Sequence, residues 1–153
     1  MYLCFKIIEV FTIKTPINMD LTINIKKGLG DLLFDMPVEQ VVELWGEADD
    51  VETIDNASDE TTTVLHYGDI SLFFEGENPI LSCIDIAEPD STLLGTKVFD
   101  LSEKEVVRLM VDNHYYEQDI DVEAWGERRI SFNEGNIDFY FDNEELISIL
   151  FGK

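Results

Sequence analysis

The chain repeats itself, and that repetition restricts the folds open to it more than any other feature. FDMPVEQVVELW at 34–45 returns as FDLSEKEVVRLM at 99–110. Phe34 and Asp35 match Phe99 and Asp100, and Val41, Val42 and Leu44 match Val106, Val107 and Leu109. Further along, GDISLFFEGENPILSCI from Gly68 resembles GNIDFYFDNEELISI from Gly135, with a loop two residues longer in the first copy. Self-similarity in one order of elements means one supersecondary unit used twice.

Each copy reads as a helix followed by antiparallel strands. Val38, Val41, Val42 and Trp45 fall at i, i+3, i+4 and i+7, one face of a 3.6-residue period. Pro37 suits a first helical turn and Gly46 a stop. In the second copy, Ser102 followed by Glu105 predicts a capping box, in which hydroxyl and carboxylate satisfy two free backbone N–H groups. Glu39 and Glu43 become Lys104 and Arg108, and side chains that reverse charge while the valines stay read as solvent-facing.

Strands are expected at 50–55, 61–67, 69–75 and 80–87, then at 115–123, 128–133, 136–142 and 145–151. Ile17, Met19, Leu21, Ile23 and Ile25 alternate with polar residues and predict another half-buried strand. The fold class that follows is α+β: two helix-plus-antiparallel-strand repeats forming one continuous antiparallel sheet with both helices on one face. The chain of 153 residues is expected to be a single domain of two repeats, about 17–90 and 91–153. Residues 1–16 read as an extra N-terminal strand, about 2–14, or as a misassigned extension if Met19 is the start.

Hydrophobic residues make up 45% of the chain, enough for a packed core in spite of a net charge of −23. The apolar N-terminus is interrupted by Lys6 and Glu9 and lacks a small-residue cleavage site, and no stretch approaches the roughly 18 apolar residues of a membrane span. Cys4 and Cys83 are expected to be free thiols, and the protein cytoplasmic. Between Lys27 and Lys97 there is no lysine or arginine, while the same segment holds seventeen carboxylates. Such a field repels nucleic acid and anionic membranes and speeds encounter with a basic protein.

Met36-Pro37-Val38-Glu39-Gln40-Val41, with Leu44, Gly46 and Ala48 behind a glycine-containing lead and ahead of a strand meander, resembles the unit of the small outer-membrane lipoprotein A family and of β-lactamase inhibitory proteins. The latter carry two such units in tandem. From Gly28 onward the resemblance implies a sheet backed by helices whose open face binds another protein. In character the chain also resembles immunity proteins of bacterial toxin systems, which are small, acidic and cytosolic. Unlike the exported families, it shows neither paired cysteines nor a lipid anchor, and no binding residue carries over.

The candidate chemistry follows from residue types. His66 and His114 sit in no triad or metal spacing, and no cofactor motif is present, so no catalytic residue and no cofactor are expected. Asp55 to Glu60, DNASDE, lacks the spacing of a calcium loop. Glu117, Asp119, Asp121 and Glu123 share one strand face, read first as a charged edge that resists pairing and second as a calcium site. Protein binding rests on two features. The acidic run Glu47, Asp49, Asp50, Glu52, Asp55, Asp59 and Glu60 has no base among it. By strand parity, Phe73 and Tyr140 point away from the helices, with Leu81 and Leu146 expected beside them on that far face. The predicted partner surface is therefore Asp49, Asp50, Glu52, Asp55, Asp59, Glu60, Phe73 and Tyr140. The function expected is a non-enzymatic inhibitor or immunity protein that occludes a basic target. The alternatives are a homo-oligomer that buries the far face, such as a homodimer, and a calcium-binding module.

Overall fold

A computed structural model of the chain describes residues 19–55 and 61–153. The expected N-terminal strand at 2–14, the start of the alternation at Ile17, Cys4, Asp59 and Glu60 lie outside the described residues.

Just under half of the described residues lie in strands, and among them are two α-helices, α1 (Val38–Trp45) and α2 (Glu103–Asp112). The first half supplies β4 (Asp50–Asp55), β5 (Thr61–Tyr67), β6 (Ile70–Glu75) and β7 (Ile80–Ile86). The second supplies β10 (Gln118–Val122), β11 (Arg128–Phe132), β12 (Ile137–Asp142) and β13 (Glu145–Gly152). All eight form one antiparallel sheet in the order β10-β11-β12-β13-β7-β6-β5-β4. The halves meet at the centre, where Ile149 pairs with Ile86 and Phe151 with Ile84.

The expectation of a single continuous sheet is corrected. A second, five-stranded sheet in the order β3-β2-β1-β8-β9 is built from very short strands: β1 (Thr22–Asn24), β2 (Gly28–Leu29), β3 (Leu32–Leu33), β8 (Thr92–Leu93) and β9 (Thr96–Lys97). Its central pair, β1 with β8, is parallel. The alternation from Met19 to Ile25 does not become a long strand, because the chain doubles back at once. A Cβ on Gly28 would sit 1.9 Å from the Leu32 carbonyl oxygen, and one on Gly30 2.1 Å from that of Asp20. Only glycine lets backbones approach so closely.

β6 and β12, ISLFFE and IDFYFD, bury alternate residues in the same pattern. Ile70, Leu72 and Phe74 on β6, and Ile137, Phe139 and Phe141 on β12, are sealed from solvent. They face the apolar stripes of α1 (Val41, Trp45) and α2 (Val106, Met110) and the small-sheet residues Ile23, Leu29, Leu32 and Leu93 in one core. Both helices therefore lie on one side of the large sheet. Trp45 meets Tyr67 edge to face at 5.2 Å, and the Tyr67 hydroxyl donates to the Gly46 carbonyl at 2.7 Å, which fixes the C-terminal end of α1. Burial pushes the Tyr67 hydroxyl up to about 12.

The helix starts differ. Ser102 accepts from the Glu105 N–H while the Glu105 carboxylate accepts from the Ser102 N–H, so the expected capping box is formed. α1 starts at Pro37 with no side-chain cap.

Matched bulges fall in the two halves. The β6–β7 register steps between Phe73, opposite Cys83, and Phe74, opposite Leu81, which leaves Ser82 as an extra residue. The β12–β13 register steps between Tyr140, opposite Ser148, and Phe141, opposite Leu146, and leaves Ile147 extra. A bulge shifts parity by one. Leu81 and Leu146, expected on the far face, are turned into the core by it.

Candidate functional site

The far face of the large sheet follows from its register. Across its middle run His66, Ser71, Asp85, Leu150, Asp138 and Ser131, each directly opposite the next. Phe73 lies opposite Val64 and Cys83, and Tyr140 opposite Ser148 and Arg129. Both aromatics therefore point away from the helices, as parity predicts, and both are half-buried. They do not form one patch. Three inter-strand steps separate β6 from β12, about 14 Å at roughly 4.8 Å each, and the row between them carries Asp85 and Asp138.

The electrostatics of this face are dominated by carboxylates in partial burial. Burial raises the Asp85 carboxyl above its ordinary value. Burial also raises the Tyr140 hydroxyl, aided by Asp138 and opposed by Arg129. The Cys83 thiol, pushed up to about 11 chiefly by burial, stays protonated at neutral pH and is a poor nucleophile.

At one end of the sheet lies β4, with all of its residues exposed. It reaches position because Asp49 ties the turn before it: its N–H donates to the His66 carbonyl at 2.8 Å, and its Oδ2 accepts from the Gly68 N–H at 2.8 Å. Asp49 thus acts first in holding the strand entry. Asp50 and Glu52 stand on the far-face side of β4, opposite His66 and Val64, while Val51, Thr53 and Asp55 stand on the helix side. Val51 is 60% exposed and Ile54 40%, large apolar groups left on an edge. Four of the six expected acids, Asp49, Asp50, Glu52 and Asp55, are thus gathered at this edge.

His66 links the edge to the sheet. Its Nε2 lies 2.9 Å from Glu52 Oε1 and its Nδ1 2.9 Å from Ser71 Oγ. A carboxylate–imidazole–hydroxyl chain has the composition of a nucleophile relay. Here the hydroxyl sits mid-sheet, its strand laddered on both sides, with Asp85 directly across. A negative charge developing beside Ser71 would face that carboxylate instead of a pair of free N–H donors. The chain's evident effect is to fasten β4. Alternation gave no sign of it, because the contact depends on the register of three strands.

The opposite end of the sheet is β10, also exposed throughout. Asp121 is met by Arg129 Nη2 at 3.0 Å, and next to it Arg128 grips Glu103 through two 3.0 Å bonds. The acids at that end, read as a charged edge or a calcium site, are thus partly neutralised, and among the described residues no group of three His, Cys, Asp or Glu side chains is placed to hold a metal ion. His114 pairs with the Tyr116 hydroxyl at 2.6 Å.

No family model matches the chain, and no curated protein or solved structure matches it either. Among the described residues no helix is long and apolar enough to cross a membrane.

Proposed function

We propose that this chain is a non-enzymatic protein-binding module, an inhibitor or immunity protein that engages a basic target and occludes it. The observation that carries the reading is the acid edge of the first half, which among the described residues forms no ion pair with lysine or arginine. Asp50, Glu52 and Asp55 are exposed on β4, and no lysine or arginine occurs anywhere between Lys27 and Lys97. A single-sign field of that kind accelerates encounter with a cationic surface and selects against anionic ones.

We read the two halves as two copies of one unit, supported by the shared burial pattern of β6 and β12 and the paired bulges at Ser82 and Ile147. In that reading the core is common property and function lies in what differs, the charge of the two edges. The aromatic far face contributes less than parity suggested, because Phe73 and Tyr140 are separated by a row containing acids.

The test is affinity capture from a lysate of the source organism with the tagged full-length chain, at low and high salt, followed by mass spectrometry. A basic protein retained at low salt and released at high salt is expected. Retention of no specific partner, or retention indifferent to salt, removes the reading.

A further inference from the structure

We infer that the outer edge of β4 takes up an extended basic segment of the target as a ninth strand of the large sheet. This inference rests on the binding reading above and specifies its geometry.

β4 ends the sheet order, and among the described residues it is laddered only to β5, across Asp50 to Asp55. The Val51 N–H donates to the Asp50 carboxylate at 3.0 Å, which places the outward-facing backbone groups on Val51 and, by alternation, on Thr53 and Asp55. An unpaired edge of this kind is a template for another strand. Its side chains define what the added strand carries. On the far-face side it meets Asp50 and Glu52, and on the helix side exposed Val51 and Thr53. Cross-strand pairing then favours lysine or arginine alternating with β-branched residues.

Charge decides among occupants. A second copy adding its own β4 would set carboxylates against carboxylates, which opposes pairing. The β10 edge is a poorer host for a cationic strand, since Arg129 already neutralises Asp121 and would itself repel the newcomer. The first-half edge has the opposite character: among the described residues its one ion pair is Glu52 with His66, which adds no permanent cation.

The experiment uses the full-length protein and three fluorescent peptides of equal charge. One alternates lysine and valine, one is the same sequence with alternate backbone amides N-methylated along its bonding side, and one carries the methyls on the opposite side. The first and third are expected to bind at low salt, with the second weaker by about tenfold or more. Amide exchange should slow at Thr53 and not along Asp119–Val122. The variant Thr53→Pro, which removes one outward N–H and leaves the β5 ladder intact, should weaken the first peptide to a similar degree.

Equal binding of all three peptides would overturn the inference, and so would protection that appears only at β10. If a basic protein is captured from lysate while the peptides fail to discriminate, strand addition is wrong and the binding reading stands. If the peptides behave as expected and no basic protein is captured, the edge is confirmed as a strand acceptor and the inhibitor reading fails.

Discussion

β4 and β10 occupy equivalent places at the two ends of one sheet, and every residue of each is exposed. Both carry acids on the same far face, Asp50 and Glu52 at one end, Asp119 and Asp121 at the other. The difference lies one strand in. β11 supplies Arg128 and Arg129, and each finds a carboxylate at 3.0 Å. β5 supplies His66 alone, at 2.9 Å from Glu52. An acidic edge with cations behind it is a way to keep a sheet from growing. The same edge without them repels its own kind equally well and still attracts a cationic strand. The two edges differ in charge compensation rather than in acidity.

The two halves bury equivalent residues where they share the core. Phe74→Ala and Phe141→Ala, at sealed positions on either side of the centre, should each cost about 3–5 kcal/mol in denaturant unfolding. A large loss from one and a trivial loss from the other would break the equivalence.

The next effect should be specific to the second half. Arg128→Ala strips Glu103, whose side chain is only 20% exposed, of both charged bonds and should cost about 1–2 kcal/mol. Arg129→Ala exposes Asp121, already 60% accessible, and should cost under about 1 kcal/mol. That second variant sharpens the contrast of edges in another way: by freeing Asp121 it should make β10 a better acceptor of the lysine–valine peptide.

Helix starts give a smaller asymmetry. Ser102→Ala should cost about 1 kcal/mol through the lost cap, whereas Pro37 has no side-chain cap bond to lose. The loss at α2 carries a pH signature. The backbone and hydroxyl of Ser102 hold the Glu105 carboxyl below its ordinary value, so Glu105 stabilises the fold above its unfolded value and that contribution disappears as pH falls through the lowered folded value. Melting curves of wild type and Glu105→Gln should therefore converge on acidification. Curves that stay parallel would mean the box contributes without its carboxylate.

Asp85 should behave in the opposite sense. Burial raises its carboxyl, so the fold favours the neutral form: the benefit is full below the unfolded value and is lost as pH rises through the folded one. Asp85→Asn should then raise the melting temperature slightly at neutral pH and leave it unchanged at acid pH. A fall at neutral pH would mean the ionised carboxylate is needed where it stands.

Much of this molecule could be read from residue order. Val38, Val41 and Trp45 announced α1, Ser102 and Glu105 announced the start of α2, and the alternation in ISLFFE and IDFYFD announced which side of each strand is buried. The errors have particular causes. Leu81 and Leu146 were assigned to the wrong face because one inserted residue in each partner strand reverses parity, and a bulge has no periodic signature. Gly28 and Gly30 stood in plain view, yet the close approaches that turn 19–33 into a separate small sheet arise only when Leu32 and Asp20 come near. Asp49 read as one more surface acid until its bond to the Gly68 N–H gave it a structural duty.

Local periodicity and composition sufficed for the two helices, the eight long strands in their succession along the chain, the acidity of the first half and the bases of the second. Tertiary structure decided which carboxylates have cations within reach, which strands are outermost, and that His66 bridges Glu52 and Ser71. Those outcomes depend on strand register and on which strands become neighbours, and both are fixed only when distant segments compete to bury the same apolar face.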